Sequence, residues 1–277
     1  MEAPLANKLA APLALEIAAL TRRFDDFVAV DHATLSVPQG ELFGLIGPNG
    51  AGKSTLIKML TTLLPPTSGT ALVGGFDIVR QSKDVRRHIG YVPQLLSADG
   101  SLTGFENMLL SARLYGIPRG EQRPRIAEAL ATMGLSEAAG HLVGRYSGGM
   151  IRRLEIAQGM LHHPTVLFMD EPTVGLDPAA RETVWEHVVS LARTFHTTMV
   201  ITTHYMEEAD EFCDRIGLIA RGRIRAVGTP SELKAGAGPD ATLDDVFETL
   251  VDVSPESEAG KNYDEVRRAR RAAREHG

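Results

Sequence analysis

The sequence is poor in cysteine, in long apolar segments and in positive charge. Its single cysteine, Cys213, excludes an internal disulfide and a metal cage made of cysteines, so we expect a small buried apolar side chain there. No segment approaches the roughly 18 consecutive apolar residues of a transmembrane helix, and we expect that the chain does not cross a bilayer by itself. The 29 Lys and Arg residues are outnumbered by 35 Asp and Glu residues. This net negative charge disfavours nonspecific binding to nucleic acids.

The rest of the composition is typical of a folded globular protein. Of the 277 residues, 43% are hydrophobic and 23% are charged, which is enough to bury a sizeable core. The 27 glycines and 15 prolines are close to common usage, so collagen-like and low-complexity structures are excluded.

The order of apolar runs predicts an α/β fold with a mostly parallel sheet. Short apolar runs alternate with helix-length segments over much of the chain, which is the pattern of strand and helix units around such a sheet. Strands are predicted at residues 14–21, 41–47, 166–169, 198–202 and 215–220, and helices at residues 53–63, 102–115, 121–133 and 178–193. Residues 68–76 contain three glycines and predict a hairpin.

These elements suggest one domain with two additions to its core. The strands near the start of the chain and the hairpin indicate an antiparallel β side sheet, and the helices at about residues 95–160 indicate an inserted helical subdomain. We place the domain at residues 14–250. Residues 251–277 are charged and rich in arginine, so we expect a solvated or frayed terminal helix, with a dedicated membrane or partner contact as the alternative. This segment is too short to form a regulatory domain.

The strongest motif is a phosphate-binding loop at residues 47–54, GPNGAGKS, which matches G-x-x-x-x-G-K-[ST] between a predicted strand and a predicted helix. Its glycines let backbone N–H groups surround a β-phosphate, and the helix adds its positive end. Lys53 would contact the β- and γ-phosphates, and the Ser54 hydroxyl would bind Mg²⁺. The predicted nucleotide contacts are Gly47, Pro48, Asn49, Gly50, Ala51, Gly52, Lys53, Ser54 and Thr55. The expected fold is therefore a P-loop NTPase core.

Two adjacent carboxylates end the predicted strand at residues 166–169. Sites in parallel sheets lie at the carboxyl ends of strands, so Asp170 and Glu171 are placed to act together with the P-loop. Asp170 would hold Mg²⁺ through water, and Glu171 would polarise the water that attacks the γ-phosphate.

A second glycine motif indicates which class of P-loop NTPase the sequence resembles. Residues 146–150 read YSGGM and precede a predicted helix, so the serine hydroxyl and the glycine N–H groups form a second potential anion site. Here the sequence resembles the ATP-binding subunit of ABC transporters, whose signature is LSGGQ or LSGGM. Gln94, Asp177 and His204 stand in the same order along the chain as the corresponding residues of the family. The resemblance covers about residues 15–250. Tyr146 departs from the usual leucine, which we expect to tune coupling rather than abolish activity.

The resemblance assigns roles to these landmarks. Ser147, Gly148 and Gly149 would contact the ATP held by the P-loop of another subunit, which implies a head-to-tail dimer with ATP at its interface. Gln94 would reach Mg²⁺ and the attacking water, and His204 would contact the γ-phosphate. Asp177 would communicate across the dimer, although its sequence position also predicts a helix N-cap.

The resemblance also implies that an aromatic residue near the start of the domain stacks on the adenine base. Phe24 is the best match by position, with Phe27 as the alternative, and Val30 would pack against the edge of the base.

The subtype is indicated only by the flanks of the catalytic core. Residues 242–247, TLDDVF, resemble the closing segment of exporter ATPases of the drug-resistance type, including the daunorubicin (ABC-2) group, and of the polysaccharide type. This resemblance implies a peripheral subunit on the cytoplasmic face of the membrane that drives export of a drug-like or amphiphilic molecule by a separate integral-membrane permease. The alternatives are a soluble regulatory or nucleic-acid-linked ATPase, and an importer ATPase.

Overall fold

The computed structural model describes residues 12–238 and 240–252, which form two sheets surrounded by helices. The strands are β1 (Leu13–Phe24), β2 (Phe27–Pro38), β3 (Leu42–Ile46), β4 (Ser68–Val73), β5 (Phe76–Asp77), β6 (Ile89–Val92), β7 (Val166–Asp170), β8 (Thr198–Thr203), β9 (Arg215–Ala220) and β10 (Arg223–Gly228). The helices are α1 (Lys53–Leu60), α2 (Ser82–His88), α3 (Gly104–Leu114), α4 (Arg119–Thr132), α5 (Gly148–Met160), α6 (Pro178–Phe195), α7 (Met206–Phe212), α8 (Pro230–Ala235) and α9 (Leu243–Asp252).

The central sheet has the strand order β10-β9-β3-β8-β7-β6 and is parallel except for β10. Its inner strands β3, β7 and β8 are buried along their whole length, which explains their nearly continuous apolar sequences. Because the strands are parallel, the carboxyl ends of β3, β6, β7 and β8 lie along the same edge of the sheet. The P-loop and the predicted catalytic residues follow these ends directly.

The side sheet has the order β2-β1-β4-β5 and is antiparallel. One hydrophobic core joins it to α1 and to one face of the central sheet, where Phe43, Leu45 and Phe168 are fully buried. A second core packs the other face of the central sheet against the helices, with Leu42, Leu167 and Met199 in it. The central sheet therefore lies between two apolar layers.

The helices between residues 95 and 160 begin at defined caps. Thr103 caps α3 and forms a reciprocal capping box with Glu106, and Ser147 caps α5 by accepting a hydrogen bond from the Met150 amide. The hydroxyl of Tyr146 donates to the carbonyl of Ala138 at 2.7 Å. A tyrosine in place of the usual leucine thus ties the start of α5 to the loop after α4.

The structure confirms the α/β class, the antiparallel side sheet and the predicted strands and helices, with shifted ends. The helix predicted at residues 53–63 ends earlier, at Leu60, because Thr62 adopts a left-handed φ of 62° that a helix cannot contain. The strand predicted at residues 14–21 extends to Phe24. Cys213 is buried, and burial raises the pKa of its thiol, as expected of a small core residue.

Several elements were not predicted from the sequence, namely β10, α2, α7, α8 and α9. The predicted tail at residues 251–277 lies outside the described residues from residue 253 onward, and the domain limits stay a prediction. Within the described part of the chain, no helix combines the length and apolar character needed to span a membrane.

Candidate nucleotide-binding site

The P-loop follows β3 and is closely approached by the backbone of β9 and β2. A Cβ atom at Gly47 would overlap the carbonyl of Ile219 on β9, so only glycine fits there. Gly52 has a φ of 104°, and a Cβ atom there would lie 2.5 Å from the carbonyl oxygen of Ala29 on β2. The glycines of the motif are therefore required both by backbone conformation and by space.

The Lys53 side chain is buried, and its ammonium group lies within the P-loop. Its Nζ donates to the carbonyl oxygens of Gly47 at 2.7 Å and Pro48 at 3.2 Å. The same ammonium pairs with Oε1 of Glu171 at 3.1 Å, and both side chains are at most 6% exposed. The positive charge is thus held next to the carboxylate that the sequence predicts to be catalytic.

Ser54 and Asp170 approach each other as a pair of oxygen donors. The Ser54 hydroxyl donates to Oδ1 of Asp170 at 3.1 Å, and the hydroxyl of Thr202 donates to the same oxygen at 2.6 Å. Burial, together with the negative charge of Asp170, raises the pKa of the nearby Tyr91 to about 12. Asp170 is therefore a buried acceptor for two hydroxyl groups at the end of β7.

The chemistry of this donor pair fits Mg²⁺. Mg²⁺ prefers hard oxygen ligands and is usually held by one or two protein groups together with substrate phosphates and water. Within residues 12–238 and 240–252, no group of three or more His, Cys, Asp or Glu residues could hold a metal by itself. The Ser54 and Asp170 oxygens therefore fit a magnesium ion that shares its coordination with a nucleotide.

Glu171 is the point where the predicted catalytic residues meet. Its Oε2 lies 3.4 Å from Nε2 of Gln94, which follows β6, and 3.3 Å from Nδ1 of His204, which follows β8. Its backbone has a left-handed φ of 49°, and its N–H donates to the hydroxyl and the carbonyl of Thr202 at 2.9 and 3.1 Å. Gln94, Glu171 and His204 are thus brought together from the ends of three strands.

Two supporting residues were missed by sequence reasoning. Thr202 orients both Asp170 and Glu171, and its signal was only a polar residue at the buried end of a strand. Glu208 on α7 is buried and accepts hydrogen bonds from Thr173 and Thr203 at 2.9 and 3.2 Å. Burial raises the pKa of Glu208. It links the loop after Glu171 to the end of β8, just before His204.

The second glycine motif lies apart from the P-loop in this chain. Gly149 packs so closely on α6 that a Cβ atom there would lie 2.9 Å from Cβ of Ala180. Among the described residues, no hydrogen bond or ion pair joins Ser147, Gly148 or Gly149 to the P-loop. Asp177 caps α6 by accepting from the Ala180 amide at 2.9 Å, as its sequence position predicted.

The candidate adenine contacts lie on the hairpin formed by β1 and β2. Phe24 and Phe27 face each other across its turn, with 41% and 64% of their surface exposed. The guanidinium of Arg22 lies 4.5 Å from the ring centre of Phe24 and covers one ring face. Val30 is fully buried behind Gly52, so its contact with a base stays a prediction.

The fold and the site define a nucleotide-binding domain of the P-loop class. A family model described as "ABC transporter" matches residues 30–174. The chain is 46% identical over 225 residues to "Daunorubicin/doxorubicin resistance ATP-binding protein DrrA" of Streptomyces peucetius, covering 81% of this chain and 68% of that protein. The identity is 44% over 241 residues to "Probable multidrug ABC transporter ATP-binding protein YbhF" of Escherichia coli, covering 86% of this chain.

Likeness to a solved structure agrees with these matches. A dimeric ATP-binding cassette in a post-hydrolysis state, bound to ADP and Pi, superposes with a TM-score of 0.69 at 25% identity, covering 78% of this chain and 98% of that one. The chain belongs to the ABC transporter family and is an ABC-type ATPase domain. It spans only 41% of the length of the Escherichia coli relative.

Proposed function

We propose that this chain hydrolyses ATP to energise a separate integral-membrane permease that exports a drug-like or amphiphilic molecule. The main observation in support of the proposal is that the Glu171 carboxylate contacts the side chains of Lys53, Gln94 and His204. The relative from Streptomyces peucetius is named for drug resistance and the relative from Escherichia coli as a probable multidrug transporter protein, and these names support export as the direction of transport.

The proposed chemistry assigns one task to each side chain. Lys53 and the P-loop amides bind the β- and γ-phosphates, and Ser54, Asp170 and Gln94 hold Mg²⁺. When bound, Mg²⁺ neutralises charge on the phosphate oxygens.

Glu171 polarises the attacking water, because its carboxylate is the one that contacts Gln94 and His204. The Asp170 carboxylate instead accepts hydrogen bonds from two hydroxyl groups. His204 contacts the γ-phosphate. Phe24 stacks on the adenine base, with Phe27 as the alternative.

The functional unit that we propose is a head-to-tail dimer on the cytoplasmic face of the membrane. Ser147 and Gly148 are exposed at the N-terminus of α5, which attracts anions, and Gly149 is buried next to them against α6. They would contact the ATP of the second subunit, with Asp177 nearby at the start of α6. A solved relative of this fold is a dimer in its post-hydrolysis state, which supports this arrangement.

The Glu171→Gln variant tests the catalytic assignment. It keeps the shape of the side chain and removes the base, so turnover falls by at least ~100-fold while ATP still binds. We expect an ATP-dependent dimer in size-exclusion chromatography. The Glu182→Gln variant, which changes an exposed acid on α6, keeps normal turnover and serves as the control. Undiminished hydrolysis, or a monomer in the presence of ATP, would refute the proposal.

Transport is tested separately in cells that produce the chain together with a candidate integral-membrane permease. We expect less accumulation of fluorescent daunorubicin than in cells carrying the Glu171→Gln chain. Co-purification of the two proteins from detergent extracts is the second readout. If the chain purifies without any integral-membrane partner, it acts as an ATPase without transport, and uptake driven by ATP would make it an importer subunit.

A further inference from the structure

We propose that Arg152 and Glu155 are positioning residues that hold the loop carrying Gln94 in its catalytic position. This loop, residues 93–98, follows β6 and is called the Gln94 loop below. It has no helix or strand of its own, and its central residues are exposed. The proposal rests on the proposed function, because it takes as given that Gln94 acts on Mg²⁺ and on the attacking water.

Arg152 and Glu155 form a buried ion pair on α5. Nη1 of Arg152 lies 2.9 Å from Oε2 of Glu155, one helical turn away, and each side chain is 2% exposed. Charged side chains are rarely buried to this degree unless they are paired. Because removing two charges from water offsets much of their attraction, such a pair contributes little net stability. The pair therefore calls for an explanation other than stability.

The two side chains bind the Gln94 loop at both of its ends, and we call them the clamp. Arg152 donates to the carbonyl oxygens of Pro93 and Gln94 at 2.7 and 2.8 Å. Glu155 accepts from the amide and the hydroxyl of Ser97, the latter at 3.0 Å, and from the amide of Ala98 at 3.3 Å. These contacts fix the backbone on both sides of the exposed Leu95 and Leu96.

The clamp connects the proposed catalytic amide to the second glycine motif. The backbone carbonyl of Gln94 accepts a hydrogen bond from Arg152, while the side-chain amide of Gln94 lies 3.4 Å from the Glu171 carboxylate. Arg152 lies five residues after Ser147, about 8 Å along the helix axis at 1.5 Å per residue. A shift of α5 would therefore move the Gln94 amide relative to Glu171. A misplacement of this kind by about 1 Å can lower a rate by up to about 100-fold.

A double-mutant cycle tests the clamp. The Glu155→Gln variant keeps the side-chain shape and breaks the ion pair. We expect it to lower kcat about tenfold in the normal chain, to change the KM for ATP less than twofold, and to raise the Mg²⁺ concentration needed for half-maximal turnover. In a chain that also carries Gln94→Ala, the same substitution changes kcat by less than about twofold, because the positioned group is already absent.

The outcomes separate the clamp from the proposed role of Gln94. An equal fall of kcat in both backgrounds would show that Glu155 only maintains the fold, which would overturn the clamp and leave the role of Gln94 intact. If Gln94→Ala alone does not change kcat, the role of Gln94 fails, and the clamp fails with it. Thermal unfolding confirms that each variant is folded at the assay temperature.

The Ser97→Ala variant keeps the test valid if Glu155→Gln does not fold. It removes one hydrogen bond to Glu155 and leaves the ion pair intact, so we expect about a threefold fall in kcat that also disappears in the Gln94→Ala background. The control is Glu121→Gln, which breaks the exposed pair with Arg125 on α4 and leaves kcat unchanged in both backgrounds. A Ser97→Ala chain that behaves like this control would overturn the proposal.

Discussion

The hydroxyl of Thr202 serves both acidic residues of the site. It donates to Oδ1 of Asp170 at 2.6 Å and accepts from the backbone N–H of Glu171 at 2.9 Å. The side chain is fully buried, so water does not replace either bond. A single hydroxyl thus fixes the spacing between the proposed magnesium ligand and the proposed base.

The Thr202→Val variant tests this arrangement at the scale of one residue. Valine fills the same volume without the hydroxyl, so Asp170 loses a donor and the Glu171 amide loses an acceptor. We expect turnover to fall about tenfold and the unfolding free energy to fall by about 1–3 kcal/mol. A Mg²⁺ titration of ATPase activity checks the result. Thr183→Val, at a partly exposed position on α6, is the control, and equal activities of the two variants would contradict the prediction.

Sequence reasoning finds the residues whose chemistry follows from a motif, and it misses those that support them. The residues that it finds stand at fixed places relative to a glycine loop or a strand end, and the structure brings Lys53 into contact with Glu171 and Ser54 into contact with Asp170. Thr202 gave no such signal, because threonine within a strand is normally explained by its β propensity. Its role depends on the pairing of β7 with β8, which places it opposite Asp170.

At the scale of secondary-structure elements, buried contacts join the helical subdomain to the central sheet. His162 follows α5, stacks on the ring of Tyr115 at 3.8 Å, and donates from Nε2 to the carbonyl of Ile89 at 3.0 Å. Its Nδ1 is buried and has no hydrogen-bond partner among the described residues. Burial therefore lowers the pKa of His162 to about 4 from its ordinary 6.5.

This pKa makes the stability depend on pH. The unfolded chain takes up a proton as the pH falls through 6.5, whereas the folded chain does so only near pH 4, so stability is fully present above pH 6.5 and falls as the pH drops toward 4. Between pH 7 and pH 5 we expect a loss of roughly 1 kcal/mol from this group, after allowance for partial solvent screening.

The His162→Phe variant keeps the stacked ring and cannot take up the proton. We expect its melting temperature to fall less between pH 7 and pH 5 than that of the normal chain, as measured by circular dichroism. The exposed His141, changed to Phe, provides the control and keeps the normal pH dependence. An unchanged pH dependence in His162→Phe would show that another group is responsible.

The elements that were predicted and those that were missed differ mainly in length. Buried parallel strands such as β3 and β7 are visible as continuous apolar runs, and α6 shows its apolar face over 18 residues. The helices α2 and α7 have only seven residues each, which is too short for a helical period to be recognised. Their positions are set by packing against the sheets rather than by local pattern.

At the scale of the whole molecule, the two anion-binding motifs occupy different places in one chain. The P-loop joins β3 to α1, whereas Ser147 caps the start of α5 and Gly149 packs against α6. The proposed dimer follows from this separation, because one motif from each subunit would complete each ATP site. The sequence predicted both motifs, but it could not show where the fold places them relative to each other.

Mixing two inactive chains tests whether the sites are shared between subunits. Lys53→Ala disables the P-loop and Ser147→Arg disables the second motif, so each variant alone has no turnover. An equal mixture forms half mixed dimers, each with one intact site, and we expect about a quarter of the normal turnover. A mixture of Lys53→Ala with Glu171→Gln stays inactive and is the control. Normal turnover by Ser147→Arg alone would show that one chain completes its own site.

The turn between β9 and β10 fastens the P-loop to the side sheet. The N–H of Gly222 donates to the carbonyl of Ala51, and its carbonyl accepts from the N–H of Asp31, at 2.9 and 2.8 Å. Together with the close approach of Ile219 to Gly47, these bonds leave the loop little conformational freedom. The entropic cost of ordering the P-loop backbone is therefore met when the chain folds, and not when a nucleotide binds. Most of the free energy of the phosphate contacts is therefore expressed as affinity for the nucleotide.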